Sequence, residues 1–455
     1  GSAVITGCVF GAALGGGILL EAQMIAGGIF HVPLAGMAVG MMAPAIFFFV
    51  LTGVFRGYFQ GNGSRMPVMH SQILQVIFLF AGGLIGTIPF RNYGAKVSAL
   101  LQNEDYTSAY GAMGACVGIF CASVLCFLHV LIIYFLFRHS MRSQTGKELA
   151  KNTDSLFRTL HIVLGTGGIY ALYWLCSNGW ILADAMVLFR TGGEDAAALV
   201  GQWGAYYGKV MAFVGVVSSI AGIICLLPVR RIVVLWERNE DRLGREKLGL
   251  LVHQCAVVAI PAAVFLAVLA ENLLNVFYGG DNRQTAGWLQ AGCVTLVFLV
   301  FSTVFTEILL KSKNLLYVVA INFSAFLLQL GVLFLVSRAG MGVMGVVVSS
   351  IIYYLVISGC GFWLVMRRFR YRQEWVRTFA VTAIAAAVAG VAAMLLNRGL
   401  GAVAGSLVSM LISLTAAVIV YLVLLTVLHA FRDDEIKEIA GGFIFRELAR
   451  LLHIG

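Results

Sequence analysis

Arg56-Gly57-Tyr58-Phe59-Gln60-Gly61-Asn62-Gly63-Ser64-Arg65-Met66-Pro67 decides how the rest of the chain is read. An apolar run from Pro44 to Phe55 leads into this stretch, and another from Ile73 to Ile88 follows it. Three glycines, an asparagine and a proline make it a turn rather than a continued helix. Its two arginines mark which side of a membrane it faces. Phe305 to Leu315 (Phe-Thr-Glu-Ile-Leu-Leu-Lys-Ser-Lys-Asn-Leu) stands between apolar runs in the same way, about 250 residues later.

The surrounding composition requires a membrane. Of 455 residues, 60% are hydrophobic and 11% charged, and the mean hydropathy is +0.93. Ordinary soluble domains carry about 25% charged residues. Apolar runs of about twenty residues recur throughout, each long enough to cross roughly 30 Å of hydrocarbon. Short alternating strands, which a membrane barrel would show, do not occur, so the fold class is an all-α polytopic membrane protein. The nine cysteines lie almost entirely inside apolar runs with no CxxC or metal-ligand spacing, and read as buried free thiols. A net charge of +10 is confined to loops, so topology explains it and a nucleic-acid partner does not.

Twelve spans are predicted, at about 3–20, 34–56, 67–89, 108–137, 158–182, 204–228, 249–277, 286–310, 315–337, 342–366, 376–396 and 404–430. The basic residues test that count. Loops after even-numbered spans, together with the C-terminal tail, hold 24 of the 31 Lys and Arg residues. The bias places those loops and both termini in the cytoplasm. A missed or invented span would scramble it. The connection from Arg138 to Arg158 has room for one short surface helix. The tail after Asp433 puts Ile444, Phe445, Leu448, Leu451 and Leu452 on one helical face and reads as a helix on the inner leaflet.

Span two, its loop and span three parallel span eight, its loop and span nine. In each, a Phe-rich helix ends near a charged residue, then a short basic loop opens an apolar helix with amides in its first turns. The units are six spans apart, so each repeat is six helices and the first supplies only four. This predicts two helices ahead of Gly1. The chain opens directly in an apolar run with no charged n-region, unlike a signal peptide.

Catalytic-looking strings fail on context. Gly340-Met-Gly342-Val-Met-Gly345 matches GxGxxG without a strand or βαβ unit and reads as close helix packing. Gly204-Ala-Tyr-Tyr-Gly208-Lys209 is one residue short of a P-loop. The histidines are scattered, and no GxSxG is present, so no enzyme chemistry and no cofactor are expected. Ionisable groups at membrane depth cost about 2.5–3.5 kcal/mol each at a helix centre and so carry more information. Glu21 and Glu271 read as interfacial, His129 and His253 as core histidines. Asp184 and Lys209, at facing ends of spans five and six, either pair or line a polar cavity. Arg56 reads either as a snorkelling topology marker or as a binding residue. Gln60, Asn62, Ser64 and Arg65, with Ser71 and Gln72 on the next helix, add donors beyond what topology needs. Such a cluster suits a phosphorylated headgroup. The substrate-binding candidates are therefore Arg56, Gln60, Arg65, Gln72, Asp184 and Lys209.

Arg56-Gly57-Tyr58-Phe59-Gln60-Gly61 followed by Ser71-Gln72 resembles the fourth-to-fifth helix segment of prokaryotic polysaccharide and lipid-linked oligosaccharide exporters. Their group includes the stage V sporulation protein B-like proteins and lipid II flippases, within the multidrug/oligosaccharidyl-lipid/polysaccharide superfamily. Leu227-Pro228 with the charged stretch to Lys247, Ile260-Pro261-Ala262-Ala263 and Leu269-Ala270-Glu271 resemble later segments of the same proteins. The resemblance implies fourteen helices in two six-helix lobes plus two, of which this chain supplies helices three to fourteen. The helices ahead of Gly1 carry cationic residues in relatives and help to build a central cavity. On this basis 1–140 is an incomplete N-terminal lobe, 155–370 a C-terminal lobe, 371–430 two additional helices and 431–455 a cytoplasmic interfacial tail. The implied activity is flipping of a lipid-linked saccharide, with membrane lipids and cell-envelope synthases as partners of a monomer. A cation-coupled drug exporter using H+ or Na+, with Asp184 and Glu307 as its acids, is the alternative. A non-transporting scaffold for envelope synthesis is a third reading.

Overall fold

The computed structural model describes residues 2–145, 167–191, 196–401 and 405–428, with His161, Gly165 and Ala430. The predicted tail helix after Asp433 and the Lys147–Arg158 part of the long basic connection lie outside the described residues. Among the described residues there is no strand, and twelve helices are long and apolar enough to span a membrane. We number helices α1 (Ser2–Leu20), α2 (Gly36–Gly61), α3 (Met66–Leu101), α4 (Asp105–Thr145), α5 (Gly168–Thr191) and α6 (Ala198–Leu226). A short α7 (Val229–Glu237), α8 (Asp241–Val268) and a short α9 (Ala270–Tyr278) follow. Then come α10 (Arg283–Lys311), α11 (Leu315–Arg338), α12 (Val343–Phe369), α13 (Val376–Leu400) and α14 (Ser406–Val427). The chain divides into two compact units, Gly1–Gly168 and Ile169–Gly455.

In the first unit α3 packs along α4, and α2 packs on both α1 and α4. The α3–α4 crossing is built from glycine. A Cβ at Gly118 would collide with the Gly82 carbonyl, and one at Gly86 with the Gly114 carbonyl. The two GxxxG pairs, Gly82/Gly86 and Gly114/Gly118, therefore face each other backbone to backbone. In lipid that is how helices associate, because apolar side chains gain nothing by leaving equally apolar tails. Phe55, Phe59, Val68 and Val130 close the unit at the Arg56 end, with Phe127 and Tyr134 edge-on or tilted against Phe55.

The α3 helix runs to Leu101 where the sequence predicts an end near 89. Thirty-six residues span about 54 Å at 1.5 Å per residue, well beyond the hydrocarbon. Arg91 and Lys96 end the apolar run but not the helix, because Gly94 still seats against Tyr106 and Tyr110 of α4. Hydropathy marks where lipid stops, not where hydrogen bonding stops.

In the second unit α8 and α10 are the most buried spans, with 61% and 56% of their apolar windows inside the protein, and α6, α12 and α13 pack against them. An alanine stripe on α13 (Ala385, Ala386, Ala389, Ala393) meets Ala417 and Tyr421 of α14 and Phe265 of α8. The Tyr421 hydroxyl donates to the Val257 carbonyl at 2.8 Å. Helix α7 is a surface helix. It buries Val229, Ile232, Val233 and Leu235 and exposes Arg230 and Arg231. The guanidinium of Arg368 pins the α7–α8 corner, meeting Asp241 at 2.9 Å and the Trp236 carbonyl at 3.3 Å. The predicted span 249–277 is two helices, broken at Leu269. Glu271 lies in the first turn of α9, exposed and 3.8 Å from Arg283, as its interfacial reading expects. Gly340 and Gly342 adopt left-handed φ of +76° and +52°, and Gly345 seats against Val336, so that string turns the chain into α12.

The two segments paired in sequence, like the ends of α7 and α11, close with the same helix cap. After α2, the backbone N–H groups of Asn62, Gly63 and Ser64 donate to Tyr58, Gln60 and Phe59 at 3.2, 3.0 and 3.0 Å. After α10, Ser312, Lys313 and Asn314 donate to Ile308, Leu310 and Leu309 at 3.0, 3.2 and 3.0 Å. Gly63 (φ +74°) and Lys313 (φ +62°) both supply the left-handed residue that closes such a cap. With that register, Phe48, Thr52, Val54, Phe55 and Phe59 fall on Phe298, Ser302, Val304, Phe305 and Leu309. Both hydroxyls are buried and bond their own helix backbone at 2.8 Å.

Candidate functional site

At one end of the first unit a side chain of α2 is anchored on α3. Arg56 ends the Phe-rich stretch of α2, five helical residues before the glycine cap. Its Nε donates to the Ser71 hydroxyl at 2.7 Å, and that hydroxyl donates to the Val68 carbonyl at 2.8 Å. Ser71 is 1% exposed, so the guanidinium is anchored on a fixed point of α3. Arg56 Nη2 is buried with no hydrogen-bond partner, as is His129 Nε2 of α4. A buried unpaired donor costs about 1–3 kcal/mol. Paired donors on a fixed guanidinium are what a phosphate or carboxylate oxygen completes.

The other candidates around the turn do not join this contact. Gln60, Arg65 and Gln72 are all exposed, and Asn62 bonds back to the Tyr58 carbonyl at 3.0 Å. They surround Arg56 in sequence because the turn is short.

Asp184 and Lys209 do not pair with each other. Asp184 of α5 is fully buried and accepts from the Tyr207 hydroxyl at 2.6 Å and from Gln329 Nε2 at 2.8 Å. Lys209, two residues beyond Tyr207, donates instead to Asn282 at 3.0 Å and lies 5.1 Å from the centre of the Tyr278 ring. Asn282 in turn bonds Asn275 at 3.1 Å and the Gly279 carbonyl at 2.7 Å. Lys209 thus holds the glycine turn between α9 and α10, while Asp184 ties α5, α6 and α11 together. Tyr207 and Lys209 lie in a π-helical segment, Tyr206–Val210, whose widened turn separates them from ordinary helical spacing. Glu307 is also engaged, with Lys311 one turn away at 2.7 Å.

No family model matches the chain. Over 417 residues it is 22% identical to stage V sporulation protein B of Bacillus subtilis (strain 168), covering 89% of this chain and 76% of that protein. Among solved structures it is similar to the lipid II flippase MurJ in an inward closed conformation. The TM-score is 0.61 at 14% identity, over 94% of this chain and 83% of that one. An inward-facing multidrug resistance MATE family transporter of the MOP superfamily gives a TM-score of 0.60 at 16% identity, over 81% and 79%. The chain is a multi-pass membrane protein with the exporter fold. The resemblance carried by Arg56–Gln72 and the Leu227–Lys247 connection is borne out by these likenesses.

Within this exporter fold, sequence reasoning missed Tyr207 and Gln329, the two partners of Asp184. An aromatic hydroxyl and a neutral amide in apolar helices carry no distinguishing pattern. It also left His129 as a satisfied core histidine, whereas its Nε2 is buried with no hydrogen-bond partner.

Proposed function

We propose that the protein is a transporter that flips lipid-linked oligosaccharide, polysaccharide or peptidoglycan precursors across the cytoplasmic membrane by alternating access. Arg56 grips the diphosphate of the substrate from the cytoplasmic side, and both termini face the cytoplasm. The observation that carries this reading is the half-satisfied guanidinium, anchored by Nε on Ser71 with Nη2 buried and unpaired. A snorkelling topology marker would send its nitrogens to water instead. The similarity in fold to a lipid II flippase, and in sequence to a sporulation protein, supports the same direction. The likeness to the flippase spans more of this chain than the likeness to the drug exporter. No ATPase motor is needed. Two negative charges carried outward gain about 2.3 kcal/mol each per 100 mV, inside negative. The protein acts as a monomer, alongside cell-envelope synthases that make and use the lipid-linked precursor.

A cation-coupled drug exporter is the second reading, favoured by the fold likeness to the multidrug transporter. It needs an available membrane-embedded carboxylate. Both oxygens of Asp184 already accept hydrogen bonds, and Glu307 is neutralised by Lys311.

Reconstituted protein and a fluorescent polyprenyl-diphosphate saccharide test the first reading. Loss of charge-assisted contacts worth about 1.5–3 kcal/mol predicts that Arg56→Ala slows flipping about 10- to 150-fold. Arg56→Lys, which keeps the charge without the fork, should fall between. Unchanged flipping by Arg56→Ala at equal incorporation removes Arg56 from the site.

A further inference from the structure

The repeat register that aligns the two glycine-type caps also sets Arg56 against Thr306 and Gly57 against Glu307. The first repeat presents a cation there. The second presents hydroxyls and a compensated carboxylate, and they line a cleft of about 180 Å³ inside the second unit. Ser177 of α5, Thr306 and Glu307 of α10, Asn322 of α11, and Tyr353 and Tyr354 of α12 supply its polar wall.

Three of these are fixed by hydrogen bonds to one another or to helix backbone. Ser177 donates to Asn322 Oδ1 at 3.1 Å, Tyr353 donates to the Cys176 carbonyl at 3.0 Å, and Asn322 Nδ2 donates to the Val318 carbonyl at 2.9 Å. The hydroxyl protons of Ser177 and Tyr353 are committed, so what either oxygen can offer a ligand is an acceptor. Among the described residues the hydroxyls of Thr306 and Tyr354 make no hydrogen bond, and these remain as donors. Trp180 packs behind both tyrosines, with ring centres 5.5 and 5.9 Å away, and fixes their orientation.

Charge selects the ligand class. Lys311 holds Glu307 at 2.7 Å, so the cleft has no uncompensated carboxylate for an organic cation and no unpaired base for a phosphate. A net-neutral wall of alternating donors and acceptors with tyrosine faces suits a polyol. The volume equals about six waters. It admits one sugar ring, and is smaller than the roughly 300 Å³ where drug-sized pockets begin. We propose that this cleft binds one neutral sugar ring of the translocated headgroup, with Thr306, Tyr354 and the Glu307–Lys311 pair reading its hydroxyls. The inference rests on the flippase reading for its ligand and deepens it by naming a residue set that reads the sugar.

Two measurements test it on purified protein in a sugar-free detergent and in proteoliposomes. Methyl glycosides of glucose, galactose and N-acetylglucosamine are titrated while Trp emission is followed against Trp180→Phe. At least one should give a saturable change that Thr306→Val with Tyr354→Phe abolishes. Flipping is then compared between a polyprenyl diphosphate bearing a sugar and the same lipid without one. Each substitution should raise the ratio of their KM values about fivefold, as a lost hydrogen bond of about 1 kcal/mol implies. No glycoside response, an unchanged KM ratio, or inhibition by a tetraalkylammonium ion that Glu307→Gln relieves would each overturn the sugar site. Protein that binds a glycoside yet moves neither lipid would sink the flippase reading and leave the cleft standing.

Discussion

Replacing Asp184 by leucine and by asparagine should have sharply different costs. The carboxylate is fully buried between α5, α6 and α11, accepting from Tyr207 at 2.6 Å and from Gln329 at 2.8 Å. Leucine fills similar volume but leaves both donors buried without an acceptor, at about 1–3 kcal/mol each. Interhelical hydrogen bonds inside membranes average only about 0.6 kcal/mol, because the separated helices also find partners. The low end therefore wins, and Asp184→Leu should cost about 2–3 kcal/mol. Asparagine behaves differently. Gln329 Oε1 is buried and unpaired, so turning that amide over lets it accept from the new side-chain NH2 while Tyr207 keeps its acceptor. Asp184→Asn should then cost under about 1 kcal/mol. Titration with SDS in mild detergent, followed by tryptophan emission, reads both. Trp203 lies 4.7 Å and Trp180 6.1 Å from the Tyr207 ring, so the signal reports this network. In a Tyr207→Phe, Gln329→Leu background, Asp184→Leu should become cheaper, because the stranded donors are gone. Equal losses for asparagine and leucine would refute the reasoning and mean that the negative charge itself holds the three helices.

Two further outcomes check the orientation and the first unit. With exposed Cys121 and Cys360 replaced, a membrane-impermeant thiol reagent should label Asn62→Cys only from the cytoplasmic side and Asp281→Cys only from the opposite side; reversed labelling overturns the charge-bias topology. Gly86→Leu should cost more than about 3 kcal/mol and abolish a monodisperse elution peak, because its Cβ would enter the Gly114 carbonyl. Gly83→Leu, three residues away with open space around its Cα, should elute like the parent.

The apolar runs located all twelve spans, because each must satisfy its own backbone in lipid and so declares itself locally. They placed the ends less well. Leu101 of α3 and the break at Leu269 are set by packing against α4 and by the start of α9, neither of which hydropathy records. At the Arg56 site, the arginine and Ser71 were both legible as polar residues flanking a turn. Their mutual bond was not, nor was the exclusion of Gln60, Arg65 and Gln72, since helical phase decides which of several nearby donors face inward. Asp184 and Lys209 stood out as charges at membrane depth, but a π-helical turn between Tyr206 and Val210 sends them to different partners.

By itself, then, the sequence determined the membrane class and the span count. These follow from the cost of burying unsatisfied backbone and charge, which each segment meets alone. Tertiary structure decided which polar side chains meet: Arg56 with Ser71, Asp184 with Tyr207 and Gln329, and Asn322 with Ser177 and Tyr353 around the cleft. Those contacts join residues from 15 to 145 positions apart. Only the docking of whole helices on glycine and alanine faces brings such residues within hydrogen-bond reach.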